Sequence, residues 1–119
     1  MHESLPNTID YIEMPSRNLA ETKRFFAALF GWWFVDYGPD YSSFDDGRVA
    51  GGFFTFKKTA GVDAGAPLVV FYHPELEKMR TKVVDLGGEI IREIFEFPGG
   101  RRLHFREPGG GEFAIWSDK

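Results

Sequence analysis

Glu13 and His104 are the side chains of this sequence whose types and settings could do chemistry. Glu13 lies in "TIDYIEM" and His104 in "RRLHFRE", and both segments read as strands. A carboxylate can act as a general base and an imidazole as a general acid near neutral pH. A carboxylate within an apolar strand is costly to bury without a partner or a task, so Glu13 comes first. Tyr11, two residues earlier, is a second candidate acid. The other two histidines are weaker. His2 stands in a terminal tail expected to be disordered. His73 precedes Pro74, where a histidine ordinarily caps a helix or faces solvent. There is no cysteine, so disulfides, thiolate metal sites and thiol nucleophiles are excluded. "GGRRLHF" and "PGGG" look superficially like phosphate loops. No helix follows either, so they read as turns between strands.

These side chains need elements to hold them. The 119 residues, 43% of them hydrophobic, suit one domain spanning 1–119 with a sizeable core. A net charge of −4 argues against nucleic acid as the main partner. Residues 25–35, "FFAALFGWWFV", carry no charge but are too short to span a bilayer. They read as a helix end, a glycine stop at Gly31 and a strand, so no membrane role is expected. The expected compartment is the cytoplasm.

"NLAETKRFFAALF", residues 18–30, has the apolar stripe of a helix, with Asn18 and Glu21 spaced as a capping box. "PELEKMRTKVVDL", residues 74–86, repeats the pattern, with Pro74 suited to the first helical position and Gly87 and Gly88 ending it. One strand precedes each helix and three follow it. The order strand–helix–strand–strand–strand therefore occurs twice, over residues 7–56 and 67–117, joined by the small-residue link "KKTAGVDAGA". Strand alternation assigns the faces. Ile12, Met14, Val69, Phe71, Leu103, Phe105, Phe113 and Ile115 turn toward the helices. Tyr11, Glu13, Ser43, Phe54, Leu68, Val70, Tyr72, Arg102, His104, Arg106, Glu112, Ala114 and Trp116 turn away, into an aromatic cavity with a few polar groups. The same residues have a structural reading. The aromatics would then fill the barrel, Glu13 and Glu112 would pair with Arg102 or Arg106, and His104 would be a solvated sheet residue.

"NLAETKRFFAALFGW", "GRVAGGFF", "DLGGEII" and "FREPGGGEFAIW" resemble the vicinal oxygen chelate superfamily. That superfamily contains glyoxalase I, extradiol dioxygenases and bleomycin-resistance proteins. More narrowly, the chain is similar to small bacterial glyoxalase-related proteins. The resemblance implies an α+β fold of two βαβββ modules, whose curled mixed sheets form a half-open cavity with helices outside. The modules pair within one chain or between chains, and a homodimer is expected. The metal enzymes of the superfamily place ligands at positions that fall here on Tyr11, Leu68, Ala114 and Gly52 or a neighbour of Gly52. The usual histidines and carboxylates are missing there, so neither a metal nor another cofactor is expected. The resemblance thus implies a metal-free protein binding a small organic ligand. The alternative is a lyase, isomerase or dioxygenase-type enzyme with a displaced metal site or with Glu13 and His104 as acid–base pair. A structural or regulatory dimer with a filled cavity is a third possibility.

Overall fold

A computed structural model describes residues 3–119, so His2 lies outside the described residues. The first module comprises β1 (Tyr11–Ser16), α1 (Leu19–Phe30), β2 (Trp33–Asp36), β3 (Tyr41–Asp45) and β4 (Ala50–Thr55). A 3₁₀ turn, Val62–Ala64, interrupts the link. The second module follows as β5 (Val69–Tyr72), α2 (Leu76–Asp85), β6 (Glu89–Phe97), β7 (Gly100–Arg106) and β8 (Glu112–Ser117). The architecture is α+β, two βαβββ modules with two unclosed mixed sheets of order β1-β4-β3-β2 and β5-β8-β7-β6. In each, the first strand pairs in parallel with the last and the other pairs are antiparallel. The helix supplies the crossover that a parallel pair requires.

Local chemistry explains the element ends. The Asn18 side-chain oxygen accepts from the Glu21 N–H at 3.2 Å, and Gly31 closes α1 with a left-handed φ of 76°. The reciprocal half of the expected capping box is not made. The Asn18 N–H donates to Ser16 Oγ at 3.1 Å instead, while Glu21 pairs with Arg24 at 2.9 Å. Pro74 does not open α2, which begins at Leu76. The ring of His73 accepts from the Glu75 N–H at 3.0 Å, satisfying a backbone amide that the helix leaves without a partner.

The core is shared between the modules. Phe25, Phe26 and Leu29 of α1, Leu76, Met79 and Val83 of α2, and Phe53, Leu103, Phe105, Phe113 and Ile115 of the sheets form one cluster. Phe26 stacks on Phe53 of its own module at 5.7 Å between ring centroids, and meets Phe113 of the other edge-on at 5.2 Å. A buried polar knot also joins the modules. Glu107, in the β7–β8 turn, accepts from the Thr22 hydroxyl at 2.8 Å, from the Gly109 N–H at 2.6 Å and from the Gly111 N–H at 3.1 Å. Thr22 spends its single proton on Glu107, so Ser16 is the donor in the 2.7 Å bond between the two hydroxyls. Burial pushes the Glu107 carboxyl up, and the bonds from Thr22, Gly109 and Gly111 pull it back. Gly109 must lack a side chain, because a Cβ there would lie 2.1 Å from Thr22 Oγ1. Among the described residues, no helix is long and apolar enough to cross a membrane.

Candidate functional site

Each sheet has one face on the shared core and one face free of helices. On the first sheet, Ile12 and Met14 pack inward while Tyr11 and Glu13 lie on the free face. The β-ladder sets Gly52 between Glu13 and Ser43. A Cβ at Gly52 would stand 2.1 Å from the Tyr41 hydroxyl and 2.8 Å from that of Tyr11. Glycine there makes room for a hydrogen-bonded series. Tyr11 and Tyr41 bond through their hydroxyls, and Tyr41 donates to Glu13 Oε2 at 2.8 Å. Since Tyr41 has one proton to give, Tyr11 donates to Tyr41. Burial, then the bonds to Tyr11 and Glu13, push the Tyr41 phenol up, so it stays protonated. Tyr41 is absent from the residues read from sequence, yet it stands two positions before Ser43 and shares its face by simple alternation. Ser43 itself donates to the Val35 carbonyl at 3.4 Å. Glu13 remains exposed, so the burial cost that singled it out does not arise.

On the second sheet, Leu103, Phe105, Phe113 and Ile115 turn into the core. Arg102, His104 and Arg106 of β7 lie on the free face opposite Trp116, Ala114 and Glu112 of β8. β6 adds Arg92 opposite His104 and Phe95 opposite Arg102. Sequence reasoning missed both, because register shifts on either side of Arg92 break the two-residue period. His104 is only 8% exposed, so it is not a solvated residue. Its Nδ1 stands 3.7 Å from Glu112 Oε2, while Glu112 Oε1 accepts from the Val62 N–H at 3.0 Å and ties the link to the sheet. The carboxylates do not pair with Arg102 or Arg106: Arg106 reaches Glu89 at 3.3 Å, and Arg102 lies 5.5 Å from the Phe95 and Phe97 rings. Tyr72 donates to Asp118 at 2.7 Å and meets Trp116 edge-on, Leu68 is half-buried just before β5, and Ala114 is fully buried.

Glu13 and His104 stand on different sheets. A cavity of about 350 Å³ at the seam is lined by Glu13, Phe54 and Glu112 together, and Glu112 in turn adjoins His104. A second cavity of about 290 Å³ lies on the second sheet's free face among Val70, Phe97, Gly99, Arg102 and Trp116.

The metal positions implied by the family resemblance do not fit an ion. Of Tyr11, Gly52, Leu68 and Ala114, only Tyr11 has a donor side chain, and its hydroxyl is committed to Tyr41 over the Gly52 Cα. Among the described residues, no group of three or more histidine, aspartate or glutamate side chains is arranged to hold a metal.

Burial, then the Arg102 charge, lowers the His104 pKa against the opposing pull of Glu112. The ring is thus neutral in the folded chain when the unfolded chain, with an ordinary value of about 6.5, already takes a proton. Its stabilising share is present above that value and is lost as pH falls toward the lower folded value. The melting temperature of the parent protein should fall more steeply between pH 7.5 and 5.5 than that of His104→Gln. Parallel curves would show that His104 is not held neutral.

The chain matches the Glyoxalase/Bleomycin resistance protein/Dioxygenase superfamily over residues 8–115. It is similar in structure to a glyoxalase/bleomycin resistance protein/dioxygenase family enzyme from Burkholderia phytofirmans, with a TM-score of 0.77, 17% identity and coverage of 92% of this chain and 98% of that one. A lactoylglutathione lyase from Agrobacterium tumefaciens aligns with a TM-score of 0.70 and 19% identity, over 96% of both chains. The fosfomycin resistance protein FosX from Listeria monocytogenes aligns with a TM-score of 0.78 and 15% identity, over 95% of this chain and 91% of that one. No curated protein matches the chain significantly. The chain belongs to the glyoxalase/bleomycin resistance protein/dioxygenase superfamily, and these structural likenesses speak for its fold.

Proposed function

We propose that the protein binds a small organic ligand without a metal, against the free faces of its sheets, as a homodimer. The observation carrying this reading is the exposure of large apolar side chains on those faces. Trp33 is 83% exposed, Tyr11 42%, Tyr72 48% and Val70 40%, although the opposite faces are tightly packed. The charges are complementary as well. Glu13 and Asp45 stand on the first sheet's free face, and Arg92, Arg102 and Arg106 on the second's. Setting the first sheet of one copy over the second sheet of another would cover much of both apolar faces, with opposite charges steering the approach, and would enclose a ligand between them. Light scattering at high micromolar concentration should give the mass of two chains, and Trp33→Glu should shift it toward one. A monomeric parent protein at that concentration would defeat the dimer. Failure of every member of a broad panel of aromatic and aliphatic metabolites to quench tryptophan fluorescence or raise the melting temperature would defeat ligand binding.

A second reading, acid–base catalysis by Glu13 with His104, draws on the seam cavity that Glu13 shares with Glu112. It would be favoured if Glu13→Gln abolished turnover of a bound ligand and left its affinity intact.

A further inference from the structure

We propose that Arg102 and His104 form an anion site on the free face of the second sheet, which takes the acidic head of a small organic acid, carboxylic or phosphonic, whose apolar body lies against Val70, Phe97 and Trp116. The proposal rests on the ligand-binding reading above and names the chemistry of the ligand. Among the described residues, two buried side-chain nitrogens lack a hydrogen-bond partner, Arg102 Nε and His104 Nε2. A buried polar nitrogen left unpaired, donor or acceptor, costs free energy, and nearly all such groups in folded proteins are satisfied. These two belong to alternate residues of one strand and project from the same face, about 6–7 Å apart along β7. Two unrelated packing defects would not be expected on neighbouring positions of one face.

The surroundings select a negative ligand. Arg92 and Arg102 have no acidic partner among the described residues, and the ring of Phe95 stands 3.5 Å from the Arg92 guanidinium carbon. The groups facing His104 are Arg102 and Arg106 on its own strand, Arg92 and Phe95 on β6, and Glu112 on β8. With Arg106 paired to Glu89, two unpaired guanidinia, Arg92 and Arg102, thus face the one carboxylate of Glu112 in a chain whose net charge is −4. Glu112 beside Nδ1 favours a proton on that nitrogen, so neutral His104 presents the bare lone pair of Nε2. An anion is repelled by a lone pair and attracted by an N–H. Binding should therefore bring a proton to Nε2, after which Arg102 Nε and His104 Nε2 both donate to the ligand. The cavity of about 290 Å³ beside Arg102, walled by Val70, Phe97 and Trp116, suits the body of a one-ring acid.

Isothermal titration calorimetry with benzoate, phenylphosphonate and the neutral benzamide tests this. At least one of the acids should bind about tenfold or more tightly than benzamide, and the ratio of the two acids tells a carboxyl head from a phosphoryl one. Arg102→Gln should lose that preference. Arg80→Gln, which removes the same charge from the surface pair with Glu93, should keep it. If Arg102→Gln does not fold, the parent protein alone suffices: affinity for the acid should rise from pH 8 to pH 6, with proton uptake seen as buffer-dependent enthalpy. Benzamide binding as tightly as the acids, or acid binding without proton uptake, would overturn the anion site and leave the ligand pocket standing. Binding of none of the three would overturn both.

Discussion

Phe26→Ala should lower the stability of the protein by about 3–5 kcal/mol, the largest loss expected from any single ring. Phe26 is fully buried at the point where α1 touches both sheets. It stacks on Trp32 at 4.7 Å and on Phe53 at 5.7 Å, and meets Phe25, Phe71 and Phe113 at 5.2, 6.0 and 5.2 Å. Removing it deletes aromatic pairs as well as buried area, and each such pair contributes about 0.5–1.5 kcal/mol beyond burial. The surrounding rings come from four elements and a loop, so they cannot all collapse into the gap without moving a sheet. Phe26→Leu fills most of the volume and should cost clearly less. Urea unfolding of the parent and both variants is the measurement. A loss below about 1 kcal/mol for Phe26→Ala would mean that the modules do not depend on this ring for their union.

Glu107→Ala should cost about 3 kcal/mol, because it strands two buried amides and takes from Thr22 its charged acceptor. The Thr22 hydroxyl and the Gly109 and Gly111 amides converge on that one buried carboxylate, and only Thr22 has another oxygen at hand, that of Ser16 at 2.7 Å. Glu107→Gln is the sharper test. Its amide oxygen can stand where Oε1 accepts from Thr22 and Gly109, but its NH₂ then faces the Gly111 N–H, donor against donor, so it should recover only part of the loss. Thr22→Val removes one donor with nearly the same shape and should be milder. The melting temperature orders the three variants. If Glu107→Gln behaves like the parent protein, the knot is not held by a carboxylate. The effect is larger than that of an exposed pair such as Lys23 with Asp36, which solvent screens and which should be worth under about 1 kcal/mol.

Much of the fold follows from short-range patterns in the chain. The stripe of Leu19, Phe26 and Phe30 with Gly31 behind it, and that of Leu76, Met79 and Val83 with Gly87 behind it, require two helices with glycine ends. These signals are local, since helical periodicity and a left-handed turn involve residues within a few positions of each other. The alternation in "RRLHFRE" and "GEFAIWS" likewise separates Leu103, Phe105, Phe113 and Ile115 from Arg102, His104 and Trp116, because a strand has only two faces.

Only the tertiary structure decided what those faces meet. Gly52 is a gap in sequence, and only the β-ladder reveals that the hydroxyls of Tyr11 and Tyr41 fill it. Arg92 could not be assigned by counting, because the irregular pairing around it shifts the period. Glu107 reads as part of a turn, yet it reaches Thr22 across 85 positions of chain and joins the modules. His104 and Arg102 were legible as neighbours on one face. Their unpaired nitrogens were not, since whether a buried group finds a partner depends on what the fold brings from elsewhere. Spacing determines the direction of a side chain, a property of a few residues. Its partner and its degree of burial are set by packing between distant segments, which no short stretch of sequence encodes.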